Sequence, residues 1–494
     1  MKTRHICGGA LASLALLMTS ACTSPVPHDA MKINELPVIF PDYAAVTIPA
    51  EIAPLNFDYV GGKYDNVYVH IAGSKGGEIA TGGRTIDIDT DDWHAITAQN
   101  KGGELSLTLS VLMDGKWREY MPFTISVSDD ALDEWGLTYR RIAPGYECFG
   151  RMGLYQRELS SFAETPIIEN TQIWGGCVNC HTSNRTNPDQ MTFHIRGPHG
   201  GTLIQKDGRR EVLKAKNDSI GGSMVYPYWH PDGNYCAFST NTTRQGFHSA
   251  KDERIEVFDY ASDVFVYDTR THELILDTLL STTDHMETYP AFAPDGRSLY
   301  FCSSPAMPIP EKYKEIRYDI CRIAFDPATG TYGNHVDTLF RASAMGKSAT
   351  HPRPSYDGRF LMFTMADYGC FPIWHAEADN WILDLQTGDA HPLSEANSPD
   401  TDSFHNWSTN SRWAVFTSRR DDGLYTKLYL THIDANGQAS KPFLLPQRNP
   451  KVYYDALMMS YNTPDFTCKP VDFSARDAGN DIISERRTPT TVRK

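Results

Sequence analysis

What this 494-residue chain lacks narrows its function first. It has no excess of basic residues: 46 Lys and Arg stand against 61 Asp and Glu, a net charge of −15. No stretch gathers those cations into the basic face that phosphate backbones require, so a nucleic-acid partner is excluded. It has no G-x-S-x-G elbow, and fewer than 50 residues follow its last internal repeat, too few for an α/β-hydrolase domain. Serine peptidase chemistry is therefore disfavoured. No apolar run beyond the N-terminal segment is long enough to cross a bilayer. Cysteine is scarce, ten in all, and six of them (Cys148, Cys236, Cys302, Cys321, Cys370 and Cys468) show no tight spacing pattern. Cys236 and Cys302 sit in apolar strand runs, which points to buried small thiols.

The first 21 residues read as a secretion signal. Lys2, Arg4 and His5 form a basic start, "ALASLALLM" is a short apolar run, and small residues lead to Cys22. The "TSAC" ending resembles a bacterial lipobox, although Thr19 stands where leucine is usual. That resemblance implies acylation of Cys22 and a membrane partner reached through the lipid. Thr23 follows, with no aspartate to signal inner-membrane retention, so the expectation is an outer-membrane lipoprotein of the cell envelope, on the periplasmic side. Residues 22–42, with Pro25, Pro27, Pro37 and Pro41, read as a lipidated tether. Export also places the chain where disulfides persist.

The remainder reads as all-β. Over residues 43–140, "NVYVHIAG", "RTIDIDT", "GELSLTLSVLMDG" and "EYMPFTISVS" alternate with period two between glycine-rich turns, the pattern of a β-sandwich-like domain. "DIDTDD" at 87–92 lacks the glycine and the glutamate of a calcium loop and reads as a solvated strand end. Farther on, four segments align without gaps: "YPYWHPDGNYCAFST" from 226, "YPAFAPDGRSLYFCS" from 289, "HPRPSYDGRFLMFTM" from 351 and "FHNWSTNSRWAVFTS" from 404. They share a phenylalanine column, Phe238, Phe301, Phe363 and Phe416, and a turn column, Asp232, Asp295, Asp357 and Asn410. Asp-Gly between apolar runs is a strong hairpin signal. A second alternating pair follows each segment, and "GTLIQKDGRREVL" at 201–213 adds a fifth second half. Two hairpins make a four-stranded blade, and repetition makes a β-propeller. "YYDALMMSYNTPDF" at 453–466 offers a strand to close a ring of five or six blades.

The "PDG…F" sentence resembles the TolB-like, WD-like propeller repeat over roughly residues 200–450. With the lipobox and the C-x-x-C-H segment described next, the chain resembles a group of Bacteroidetes exported lipoproteins. The resemblance implies an architecture and leaves the activity open. The expected order is signal 1–21, tether 22–42, sandwich-like domain 43–140, connector 141–199, propeller 200–468 and C-terminal tail 469–494.

"GGCVNCHTSN" at 175–184 carries the attachment signature of c-type haem, and chance would produce it only about 0.007 times in a chain of this composition. The expected roles are thioethers from Cys177 and Cys180 and proximal iron ligation by His181, with Met191, His194 and His199 available as sixth ligand. Haem would imply electron transfer or redox-linked binding and a redox partner. The same stretch supports two alternatives. Cys177, Cys180, His194 and His199 are spaced C-x2-C-x13-H-x4-H, as in a structural zinc site, although Gly197, Pro198 and Gly200 break the helix such histidines share. A loop disulfide or free thiols is the third. Either alternative leaves a non-enzymatic binding or scaffold propeller that takes a protein or small ligand at one face.

Two insertions, 241–262 and 366–380, interrupt blades. Loops on a rigid scaffold commonly carry binding, and His248, Glu253, Trp374, His375 and Glu377 are the residues able to line a mouth. No pair among them has a spacing that assigns acid, base or nucleophile roles, so the sequence leans away from an enzyme.

Overall fold

The computed structural model describes residues 26–145, 150–214, 220, 222–248, 254–484 and 486–493. The expected signal segment, Cys22, Cys148 and Glu253 lie outside the described residues.

The turn column organises the repeats. At each position the side-chain oxygen accepts from the N–H two residues on: Asn234 on Asp232 (2.7 Å), Arg297 on Asp295 (2.9 Å), Arg359 on Asp357 (3.0 Å) and Arg412 on Asn410 (3.0 Å). The following residue is left-handed, with φ of 72° at Gly233, 70° at Gly296 and 74° at Gly358. Ser411 holds φ of 60° without glycine's freedom. Its Oγ accepts from Asp357 N–H at 3.0 Å, a bond to the neighbouring repeat that offsets the strain.

These hairpins build six sheets. Their inner strands are β1 (Cys177–Asn184), β2 (Val225–Trp229), β3 (His285–Phe292), β4 (Ser348–Pro354), β5 (Asp402–Trp407) and β6 (Ser460–Thr467). Each inner strand touches the next, and β6 touches both β5 and β1, so the ring closes on itself. The molecule is a six-bladed propeller. The closing blade takes β6 from the C-terminal part of the chain and pairs it with Gly136–Ile142, which leads out to Gly153–Glu158 and Glu164–Glu169.

The connector expected over 141–199 is therefore blade: it supplies the outer strands of the closing blade and the first two strands of the next. The boundary of the N-terminal domain falls earlier, because Gly136–Ile142 pairs with β6. Phe238, Phe301, Phe363 and Phe416 fill equivalent slots, all at most 2% exposed, and Phe193 is a fifth member of that column. Each follows the strand-two residue that faces the inner strand just past its bulge: Thr192, Ala237, Tyr300, Met362 and Val415.

The N-terminal domain is sandwich-like. Gly103–Met113 pairs with Asn66–Gly73 along one edge, and with Phe123–Val127 and then Lys116–Glu119 along the other. "RTIDIDT" is not a strand: Asp89 accepts from the N–H groups of Asp91 and Asp92 and caps the helix Thr90–Gln99. Part of the expected tether is also ordered into this domain, with Met31–Lys32 beside Lys116–Glu119 and Ile39–Phe40 beside Asp58–Tyr59. The domain shares one apolar core with the blade built on β5, from Ile48 and Leu105 through to Trp407, Trp413 and Leu444.

The expected tail packs as a strap. Helix Ala475–Ile483 buries Ala478 and Ile482 against Ile173 and Val178. Thr488–Pro489 and Thr491–Arg493 then add parallel strands to the outer edges of two blades, covering exposed ladders.

Candidate functional site at the mouth of the propeller

The inner strands share one irregularity. Cys180, Tyr226, Tyr289, His351, Phe404 and Thr463 are all left-handed, with φ between 46° and 56°, one in each inner strand. In all six strands the ladder shifts register there, for example between Val225 and Tyr228. The next residue is Pro227, Pro290, Pro352 or Pro464 in four strands, and His181 or His405 in the other two. Proline fits because residues in the bulge fall outside the ladder, where no N–H is required. The last two residues of the C-x-x-C-H motif thus occupy the kink that other blades fill with Tyr-Pro, His-Pro, Phe-His or Thr-Pro.

Around the axis these kinks build an aromatic collar. Tyr226 and Tyr289 lie 4.4 Å apart by ring centroids, Tyr289 and His351 3.8 Å, and His351 and Phe404 5.1 Å. Tyr289 Oη donates to the Cys370 carbonyl at 2.9 Å, which holds the 366–380 insertion over the collar. Phe371 rests there on Tyr226 and Tyr289.

Above the collar is a cavity of about 160 Å³, lined by Cys177, Cys180, Tyr226, Phe371, Trp374 and Phe404 and by three arginines, Arg140, Arg196 and Arg419. Below it the channel narrows to about 40 Å³ around His181, His351 and His405. At its far end buried Asp465 accepts from Ser183 N–H (3.1 Å), Thr182 Oγ (3.3 Å) and Asn406 Nδ2 (2.8 Å), and burial pushes its carboxyl up to about 6.

The two insertions form one wall. The 241–262 segment continues two strands of its blade into a long hairpin, with Thr243 opposite Asp259 and Phe247 opposite Ile255. A polar clamp fixes it to the other insertion. His375 Nε2 lies 3.7 Å from Glu256, and its Nδ1 lies 3.2 Å from Glu377. Tyr368 Oη donates to Glu256 at 2.8 Å, and His248 approaches the same carboxylate at 3.5 Å. Burial opposes the His375 charge, but the two carboxylates outweigh it and hold the imidazole up to about 9. Burial likewise opposes the Glu377 charge, and His375 holds that carboxyl down to about 2. The expected mouth residues His248, Trp374, His375 and Glu377 thus come together, with Glu256 as the missed partner.

The expected haem residues are placed differently. Cys177 lines the mouth, and its Sγ accepts from Arg140 Nη2 at 2.9 Å. His181 lies one layer deeper, Nε2 3.1 Å from Thr138 Oγ, and burial pulls its pKa down to about 4. Met191 is packed between two blades with Leu154, Ile168 and Phe193. His194 lines a separate outer cleft with Gly201 and Met224, its Nδ1 3.0 Å from Thr202 Oγ. His199 sits edge-on to exposed Trp174 in a turn.

Sites for cofactors of ordinary size run to about 300–1,000 Å³. The two cavities lined by the motif's own side chains fall short of that: Cys177 and Cys180 line the upper one, Cys180 and His181 the lower. A haem does not fit this arrangement. The zinc quartet is not assembled either: among the described residues no group of three or more His, Cys, Asp or Glu is placed to hold a metal ion. Cys177 and Cys180 are both buried free thiols.

Arg140, Arg196 and Arg419 escape a reading by motif, because they come from three blades and share no spacing. The "CH" kink did have a signal: the aligned repeats begin Tyr-Pro, Tyr-Pro, His-Pro and Phe-His, and Cys-His extends that column.

No family model and no curated protein matches the chain. Solved structures similar to it include TolB from Acinetobacter baumannii, at 15% identity over 77% of this chain and 86% of that one, with a TM-score of 0.43. A periplasmic gluconolactonase from Pseudomonas aeruginosa matches at 13% identity, covering 82% of this chain and 100% of that one, TM-score 0.37. Prolyl oligopeptidase B from Galerina marginata matches at 10% identity, covering 62% and 44%, TM-score 0.37. The six sheets themselves carry the propeller assignment.

Proposed function

We propose that this chain is a non-enzymatic binding propeller, anchored in the cell envelope through Cys22, that takes its ligand in the axial mouth. The observation that carries the reading is the wall built over one end of the channel: Trp374 and Phe371, fixed by the His375 clamp, face a cavity floored by the aromatic collar. Aromatic sides with a few convergent polar groups are what small-ligand sites require. The C-x-x-C-H segment is, on this reading, an inner strand with two reduced thiols, and electron transfer through a haem is not part of the function. The apolar run and "TSAC" support export and lipidation.

The test is a thermal-shift panel of small polar and anionic metabolites on the full chain. A ligand of the mouth raises Tm, and Trp374→Ala removes that rise, whereas Trp117→Ala, in the N-terminal domain, leaves it. A panel in which every hit survives Trp374→Ala refutes binding at the mouth.

A further inference from the structure

The mouth has an electrostatic character opposite to that of the chain. Three guanidinium groups line it and, among the described residues, no aspartate or glutamate does, in a protein of net charge −15. Two of them are buried without an ion pair among the described residues. Arg419 is 3% exposed, its guanidinium carbon lies 3.4 Å from the centre of the Trp374 ring, and its Nε has no hydrogen-bond acceptor. Among the described residues no carboxylate lies within ion-pair distance of it, although the charges of Asp400 and Asp422 act on it from farther away. Arg140 is 8% exposed; its Nη2 meets only the sulfurs of Cys177 and Met152, and its Nε too lacks an acceptor.

A buried cation without a counter-charge is expensive, which is why such groups are normally paired. Burial already pushes the Arg419 guanidinium down to about 9. An anion that enters the cavity would give both guanidinium groups the direct partner they lack among the described residues. A guanidinium fork is matched to planar or tetrahedral oxyanions, which it binds through two parallel N–H bonds. The volume limits the size: about 160 Å³ holds roughly five waters at about 30 Å³ each, so one oxyanion group and a short remainder fill it. Asn179, Ser460 and Asn462 offer neutral polar groups on the same lining.

We infer that the mouth binds a single oxyanion group, a carboxylate or a phosphate carried by a small ligand, held by Arg419 and Arg140 beside the Trp374 ring. This rests on the reading of the mouth as the ligand site, and adds the charge and chemical class of what enters.

The experiment is calorimetric titration of the full chain at low ionic strength with inorganic phosphate, acetate, glucuronate and neutral glucose, for wild type, Arg419→Gln, Arg140→Gln and Trp374→Ala. At least one of the three anions is expected to bind once per chain. Each Arg→Gln change weakens that binding about 10- to 100-fold, the usual worth of a charged hydrogen bond. Tighter phosphate identifies a phosphate site, and tighter glucuronate a carboxylate borne on a ring; either supports the inference. If Arg419→Gln does not fold, Arg419→Lys keeps the charge, loses the fork and should weaken binding about 10-fold. No anion bound at about 10 mM, above the weakest affinities usually counted, overturns the inference, as does equal binding by all the variants. Glucose bound without any anion, and lost in Trp374→Ala, overturns the anion class while leaving the mouth as the ligand site.

Discussion

Cys180 and five residues of other types hold the same left-handed backbone, one per blade. Each costs about 1–2 kcal/mol relative to an ordinary strand conformation, so the axial geometry, not any one side chain, imposes the kink. At this scale the sequence is readable where a repeat keeps its punctuation. Phe238, Phe301, Phe363 and Phe416 stand out because each lies six residues after an Asp or Asn turn. Phe193 does not, because its hairpin turns through Arg185 and Thr186, both left-handed and neither a turn-forming type. Its environment predicts the same energetic weight. Phe193→Ala should cost about 3–5 kcal/mol in chemical denaturation, matching Phe301→Ala. A loss under about 1 kcal/mol would place Phe193 outside the shared slot.

At the scale of elements, the insertions were visible as interruptions, and His248, Trp374, His375 and Glu377 by residue type. Glu256 was not, because it joins His375 from another blade, more than a hundred residues away in the chain. The clamp predicts a pH dependence with a definite sign. The folded His375 value, about 9, lies above its unfolded value of 6.5, so its contribution is full below pH 6.5 and fades as pH rises through 9. The folded Glu377 value, about 2, lies below 4.5, so its contribution is full above pH 4.5 and fades as pH falls towards 2. Both act fully between those limits. The Tm difference between wild type and His375→Gln should therefore be largest near pH 6 and shrink by about pH 9.5. A difference that stays flat across that range would separate His375 from the two carboxylates.

At the scale of the molecule, the propeller class was legible and its extent was not. The turn column, Asp-Gly in three repeats and Asn-Ser in the fourth, marks four blades; the closing blade and its neighbour lack it. One is built from strands more than three hundred residues apart, a pairing that no local pattern carries. The other was hidden behind a motif with a stronger chemical association, since "CVNCH" reads as haem attachment and folds as an inner strand. Anchoring is a separate matter: Cys22→Ser should move the chain from the membrane fraction to the soluble fraction, and unchanged partitioning would refute lipidation there. Cys177, Cys180 and His181 belong to the architecture of the channel. The most direct measurement of this role is the absorption spectrum and denaturing-gel haem stain of the full chain, produced together with haem-attachment enzymes. We expect no Soret band, no stain on the unfolded polypeptide, and two thiols at 177 and 180 that react with alkylating reagent only after denaturation. A Soret band with haem that stays on the denatured chain, and is lost in a Cys177→Ala, Cys180→Ala double variant, would contradict that role.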